Sequence, residues 1–511
     1  MKKVLAFMLA AAMTIGCLTG CGQKEAEVND TPASNEAQET EASKEIQKVK
    51  WVMFGDTCED DEKVYAEVNK ILNERYGLEL EPVVVSGGEY NDRMKLMATS
   101  GEDWDLCFTS NWLFNFYENM SMEMFRPLND LLDSEAGALL KEAIPSDDYC
   151  GCATFDGQIY AVPNNQMQFK CMGAFVQKDL ADEFGLDVTA VKNIHDLEPF
   201  MEWVRDNKEG IWPLRNNFGC SDLNFYLGAD FTEEGLGTCP AFDLFVLDSV
   251  AVAANDPEHK AISMFDNEYR KEAFRLCNEY YKEGFIRSDI ATVTDDTADR
   301  AAGRYAVDIG ETKPGGAAEQ SAAYGEEYYQ ISFATPYKTP TANAPTMTAM
   351  NINSKNPEAA IKMLGVIWTD VEVYNMMVFG LEGEHYTKVG GNRVEPVADT
   401  KYSRSASAWS FGDTFNAYVI PGQEDEVWEQ TKKMNESAVV SPLTGFVLDT
   451  TPIETEMAQI SSVRAEYEKQ FNYVEDFDAW WAEFETKMEA AGLDKCVEEV
   501  NTQIQAWLAE Q

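Results

Sequence analysis

Three tryptophans stand where a binding platform would: Trp112 follows Ser110 and Asn111, Trp212 precedes Pro213, and Trp409 precedes Ser410. A sugar ring shows C–H bonds on one face and hydroxyls on its rim. A flat apolar indole beside planar amides therefore suits it. Asn is also a common turn former, so the neighbouring amides fit a turn as well as a ligand. Of the other tryptophans, Trp203, Trp368, Trp428, Trp480, Trp481 and Trp507 fall in helical patterns and are expected in the core.

Bond-making chemistry finds little support. His195, His259 and His385 are far apart and lack the His-Glu-x-x-His spacing of a zinc hydrolase. No Gly-x-Ser-x-Gly elbow and no Gly-x4-Gly-Lys loop occurs, which removes the usual hydrolase and nucleotide-binding readings. Paired carboxylates for glycoside hydrolysis stay open, because 89 acidic residues offer many accidental pairs. Asp295, Asp296 and Asp299 do not follow calcium-loop spacing and read as a solvated run. No catalytic residue, metal or cofactor is expected.

The first residues decide where the rest works. Lys2 and Lys3 precede an apolar run from Val4 to Ile15, and Leu18-Thr19-Gly20-Cys21 follows. A positive start, a short apolar core and small residues at the cut mark a secretory signal; the core is too short to span a bilayer. The box ending in Cys21 resembles that of bacterial lipoproteins, which implies a signal over 1–20 and lipid on Cys21. Such a lipid would tether the protein to the outer face of a membrane. From Gly22 to about Gln47 there is no aromatic residue, so 21–47 reads as a flexible acidic tether.

With 511 residues the chain is too long for one core, and 45% apolar residues suffice for globular lobes. The net charge of −48 repels nucleic acid and anionic headgroups, so nucleic-acid binding is excluded. Eleven cysteines suggest disulfides at first. Without Cys17 and Cys21 an odd number remains, no Cys-x-x-Cys occurs, and most read as small buried hydrophobes.

Behind these residues strands and helices alternate. Lys50–Phe54, Leu78–Val85 and Trp104–Phe108 read as strands. Asp60 or Asp61 is placed to cap a helix with Val64, Val68, Ile71 and Leu72 inward, stopped at Gly77. Asp156-Gly157 signals a type I′ hairpin. Asp266 is placed to cap a helix ending at Gly284, and Asn356-Pro357-Glu358 opens another. Alternation of this kind predicts α/β lobes with parallel sheets covered on both faces.

The stretch Met97-Ala98-Thr99-Ser100-Gly101-Glu102 before Asp105-Leu106 resembles the opening of a family 1 extracellular solute-binding protein. So do Arg126-Pro127-Leu128-Asn129-Asp130-Leu131-Leu132 and Asp156-Gly157-Gln158-Ile159-Tyr160-Ala161-Val162-Pro163. Gln158 stands where that family usually has Lys. Asn356-Pro357-Glu358-Ala359-Ala360 fits the same family, and Gly383-Glu384-His385-Tyr386, Trp409-Ser410-Phe411-Gly412 and Ser441-Pro442-Leu443-Thr444-Gly445-Phe446 resemble a Gram-positive lipoprotein subgroup with a C-terminal region of unknown function. Asp413 departs from the expected Asn, which weakens a ligand role there.

The resemblance implies a type II periplasmic-binding-protein-like fold of two α/β lobes that serves an ABC importer. It implies a monomer that takes a small solute, most readily an oligosaccharide, to permease subunits. The expected division is 48–165 plus about 347–400 for lobe one, 166–335 plus part of about 401–450 for lobe two, and helices over about 451–511. Crossings are expected near 163–166 and 335–346, with a third near 399–409.

In such sheets ligands sit outside the carboxyl ends of the strands. That nominates Gly55, Asp56, Ser110, Asn111, Trp112, Asn164 and Asn165 from lobe one. Trp212, Asn216, Asn217, Glu311 and Lys313 are nominated from lobe two, with Trp409 as a further platform. Trp112 and Trp212 are expected to grip a sugar from opposite sides. The competing readings are a surface-anchored glycoside hydrolase or cell-wall enzyme, and a peptide-binding receptor of the same fold.

Overall fold

The computed structural model describes residues 46–146, 148–215, 242–293, 296–467, 470–471 and 473–510; Cys21, Asn216, Asn217 and Asp295 lie outside the described residues. The strands β1 (Gln47–Phe54), β2 (Leu78–Val85), β3 (Leu106–Thr109) and β4 (Ala161–Pro163) come first. Next are β5 (Met172–Gln177), β6 (Trp212–Arg215), β7 (Phe242–Phe245), β8 (Val250–Ala253) and β9 (Ala261–Ser263). β10 (Tyr305–Glu311), β11 (Tyr328–Ser332), β12 (Tyr337–Lys338), β13 (Met347–Met350) and β14 (Val439–Val440) complete the sheets. Two hairpins stand apart from them, at residues 154–159 and 386–396.

Lobe one is a five-stranded sheet in the order β2-β1-β3-β13-β4. β1 runs parallel to β2 and β3, whereas β13 is antiparallel to both neighbours because the chain re-enters from the other lobe. Alternation along β1 sends Val49, Trp51 and Met53 into one core and Val52 into another. Helices cover both faces, and Trp51 is 1% exposed. Truncating so buried an indole costs about 3–5 kcal/mol.

Local chemistry explains most element ends. The helix Asp61–Ile71 runs on through a π turn to Gly77, whose φ of 68° lies in the left-handed region where a Cβ would be strained. Asp60 occupies the cap position without capping, since its carboxylate is turned to His385 instead. Pro357 opens the helix Pro357–Thr369, and Asp370 caps Val371–Phe379 by accepting from Glu372 N and Val373 N. The Asn356 side chain donates to the Lys48 carbonyl rather than capping its helix. Ahead of the helix Glu268–Glu283 it is Asn267, not Asp266, whose side chain accepts from Arg270 N.

Lobe two carries the mixed sheet β11-β5-β10-β6 and the meander β9-β8-β7. Only β6 and β10 are paired in parallel in the mixed sheet; β5 is antiparallel to β10 and β11. The C-terminal helices Glu454–Tyr467, Phe477–Ala490 and Leu493–Leu508 pack into the same core as these strands. Phe484 meets the Phe265 ring at 4.9 Å, and Trp481 is fully buried beside Phe274.

Three crossings join the lobes. Two run over residues 164–171 and 333–346. The third lies at about 421–442, later than 399–409, because Tyr402, Ala408, Phe411, Ala417 and Ile420 all belong to the lobe-one core, whereas Leu443 and Phe446 belong to lobe two. At the hinge, β12 and β14 form a two-stranded parallel ribbon. Asn435 secures the first crossing, accepting from Gln168 N at 2.8 Å and donating to the Gln166 carbonyl at 3.0 Å.

Candidate functional site

The strand registers fix which ends face the crevice. β1, β3 and β4 all point their carboxyl ends toward the crossings, so Phe54, Thr109 and Pro163 share one rim of lobe one. Across the hinge, Glu311 at the end of β10 lies opposite Met172 at the start of β5, which marks the matching rim of lobe two.

On the lobe-one rim four aromatic rings form a shelf. Ser110 is buried, and its hydroxyl oxygen accepts from Trp112 N at 3.2 Å and Leu113 N at 2.7 Å, forming the turn that lifts Trp112 outward. The Trp112 indole donates to the Pro345 carbonyl at 2.9 Å. Its ring stands edge-on to Phe54 at 5.9 Å and lies 6.3 Å from Trp409. Trp409 packs against Phe54 at 5.2 Å and Phe108 at 6.1 Å, and donates to the Ala406 carbonyl at 2.9 Å. Both indole N–H groups are thus satisfied internally, which leaves fixed apolar faces. Trp112 is 53% exposed, a large open surface for a ring held so firmly.

The remaining nominated residues divide by what already occupies them. Asp56 and Asn111 are exposed on the same rim. Gly55 is buried against the turn at 405–410, where its missing side chain permits close approach. The Asn164 side chain donates to the Ser410 carbonyl at 2.8 Å and accepts from Thr348, so it is committed to the fold. Asn165 donates to Asp413 at 3.1 Å and pairs through its backbone with Gly412 and Thr414. Burial raises the Asp413 carboxyl, and both its oxygens accept hydrogen bonds, from Asn165 and Phe415 N. These two residues belong to the first crossing.

Glu311 pairs with Lys170 at 2.8 Å, and Lys313 with Glu319 at 2.9 Å. Glu319 also accepts from Gln423 at 3.2 Å. The helix Gly316–Tyr324, which carries Glu319, meets the turn at 405–410 across the crevice. A crevice there is lined by Lys313, Glu319, Trp409, Tyr418, Gln423 and Trp428.

Trp212 does not join the shelf. It pairs with Tyr305 at the start of β10, six residues before Glu311, and so lies roughly 20 Å from the crevice rim at ~3.3 Å per residue. There it stacks under Arg287 at 4.1 Å and beside Tyr305 at 5.3 Å. The grip between Trp112 and Trp212 is therefore replaced by a pairing of Trp112 with Trp409 within lobe one. Phe54, Phe108 and the crevice residues Tyr418, Gln423 and Trp428 were not nominated from sequence. Only Phe54 and Phe108, each the last residue of a predicted strand, carried a usable signal.

Asp60, Glu384 and His385 bring three potential metal-binding atoms within 4.8 Å of one another. The hydrogen bonds speak against a metal there. His385 Nδ1 accepts from Leu381 N at 2.9 Å, so the ring proton sits on Nε2, 3.0 Å from Asp60. No lone pair is left on that nitrogen for a cation, and Glu384 is paired with Lys63. The bond from His385 holds the Asp60 carboxyl below the usual carboxylate range.

Comparison with known proteins gives a consistent picture. Residues 442–509 match a domain of unknown function, DUF3502. The chain is 24% identical over 474 residues to a carbohydrate ABC transporter substrate-binding protein of Streptococcus pneumoniae serotype 4, covering 91% of this chain and 88% of the relative. The crystal structure of the N-glycan transport solute-binding protein NgtS of S. pneumoniae in complex with Man1GlcNAc matches with a TM-score of 0.76 at 21% identity. That match covers 91% of this chain and all of the other. The S. pneumoniae substrate-binding protein FusA in complex with kestose matches with a TM-score of 0.62 at 14% identity, over 91% of this chain and all of the other. The fold is the two-lobe type II solute-binding fold, and the resemblance to extracellular solute-binding proteins with a C-terminal region of unknown function holds.

Proposed function

We propose that this protein is an extracytoplasmic receptor that captures an oligosaccharide in the crevice between its lobes and delivers it to an ABC permease. The observation that carries this reading is the shelf of Phe54, Trp112 and Trp409 at the crevice rim, with both indole nitrogens already bonded and the Trp112 face open. Such a surface offers dispersion and C–H contact to a pyranose face. Asp56 and Asn111, exposed on the same rim, supply hydrogen-bonding groups for its hydroxyls. The relatives' sugars direct the choice of probes: mannosyl-GlcNAc oligosaccharides and kestose. Lipid on Cys21 tethers the receptor to the outer face of the membrane, and the working unit is a monomer.

Thermal unfolding with Man1GlcNAc, Man5GlcNAc, kestose and short peptides tests the reading. A ligand at 100 times its Kd stabilises by about 2.7 kcal/mol, so a binder raises the midpoint by several degrees. The sugar recovered afterwards should be unchanged on chromatography. Stabilisation by peptides alone would favour a peptide receptor, and shortened sugar products would favour a glycoside hydrolase. For the anchor, Cys21→Ala should move the protein from the membrane fraction to the medium with its fold intact.

A further inference from the structure

We propose that Arg404 is a positioning residue for the aromatic shelf, joining the loop after β1 to the turn that carries Trp409. The inference rests on the reading of that shelf as the sugar site. The Arg404 side chain is 3% exposed. Its Nη1 donates to the Asp56 carbonyl at 2.6 Å, and its Nη2 is bonded to the Asp61 carboxylate at the start of the first helix. Its backbone is fixed as well: Arg404 N donates to the Val378 carbonyl, and the Arg404 carbonyl accepts from Ser407 N to open the turn at 405–410. Tyr402 and Tyr65 flank the guanidinium at 5.5 and 6.0 Å. The guanidinium therefore holds the Asp56 carbonyl and the Asp61 carboxylate, while the backbone of the same residue opens the turn that carries Trp409. A lysine, with a single point of charge, reaches one of these partners but not both.

Gly55 supports the same contact from the opposite side. A Cβ there would sit 3.2 Å from the Ser407 hydroxyl and 3.3 Å from Arg404 Nη1, at a φ of +148°. The loop approaches the turn this closely because no side chain intervenes. Asp56 and Trp409 lie at the two ends of this contact, and a sugar on the shelf would touch both. Loosening it should weaken binding without removing any group that touches the sugar.

The test uses the full chain with Arg404→Lys and Gly55→Ala, each alone and on a Trp409→Ala background. Calorimetry with Man1GlcNAc gives affinity, and hydrogen exchange of residues 55–58 and 405–410 without sugar gives local order. The expected result is faster exchange in both segments and about tenfold weaker binding. On the Trp409→Ala background each substitution should cost less than it does alone, because one end of the contact it secures is then missing. Unchanged exchange, losses that add fully to Trp409→Ala, or loosened segments with unchanged affinity would each overturn the proposal. If the native protein binds none of the sugars, the receptor reading fails on its own. The exchange measurement then still decides whether Arg404 joins the two segments.

Discussion

At the scale of single residues, Trp112 and Trp409 differ in a way that can be measured. Trp112 is 53% exposed and bonded through its indole to Pro345, whereas Trp409 packs partly into the lobe-one core. Trp112→Ala should weaken sugar binding about ten- to a hundredfold. Its unfolding midpoint without ligand should fall by no more than about 2 °C, since little buried surface is lost. Trp409→Ala should lower both. A collapsed midpoint for Trp112→Ala would show that the ring is a core residue. The sequence makes Trp112 and Trp409 visible because they are bulky aromatics beside turn formers. Ser110 and Asn164 look equally available, yet both spend their polar atoms on turns and neighbouring carbonyls. Turn chemistry and ligand chemistry use the same small polar side chains, so residue type alone cannot separate them. Trp212 misleads for another reason. Its place at the far end of lobe two follows from the pairing of β6 with β10, a long-range register that no local pattern encodes.

At the scale of elements, the hinge is held by a carboxyl with no cation beside it among the described residues. Asp243 on β7 is fully buried; it accepts from Ser441 Oγ at 2.5 Å, just past β14, and from the Tyr337 hydroxyl of β12 at 3.1 Å. It thus ties both strands of the hinge ribbon to lobe two. Burial lifts its pKa from 3.8 to about 6, against the two hydrogen bonds that favour the charge; the Tyr337 phenol is the titratable group facing it. The folded state therefore keeps this proton while the unfolded chain releases it between about pH 4 and 6. Stability from Asp243 is present below pH 4, declines through that window and levels off above it, by roughly 2–3 kcal/mol. Urea unfolding of wild type and Asp243→Asn across pH 4–7 measures the difference. The decline should vanish in the variant, and parallel profiles would assign it to other groups. An element start such as Pro357 was legible because the chemistry of a helix start is local. Asp60 was not, because His385, which claims its carboxylate, arrives over 300 residues later.

At the scale of the whole molecule, two lobes on three crossings imply closure. Small-angle scattering should show a smaller radius of gyration when the sugar saturates the protein, and an unchanged radius would count against closure. Alternating strands and helices made the α/β lobes readable from sequence. The merging of the last helices into the lobe-two core was not, because their amphipathic faces do not say which surface they cover. Removing residues 442–511 should therefore leave Phe265 and Phe274 without Phe484 and Trp481. Lobe two of such a truncation should lose its cooperative unfolding transition while lobe one keeps its own; a second transition that persists would show the helices to be separable.

The placement of β13 also has a bearing on time. The fourth strand of the lobe-one sheet in spatial order, between β3 and β4, is made of residues 347–350, and lobe two waits for its last helices. At about 5–20 residues per second, the growing chain spends roughly 20–70 s before lobe one holds all its strands. Throughout that interval the leading end belongs to a polypeptide that cannot complete either lobe. The order of strands along the sequence thus keeps both lobes open until most of the chain has been made.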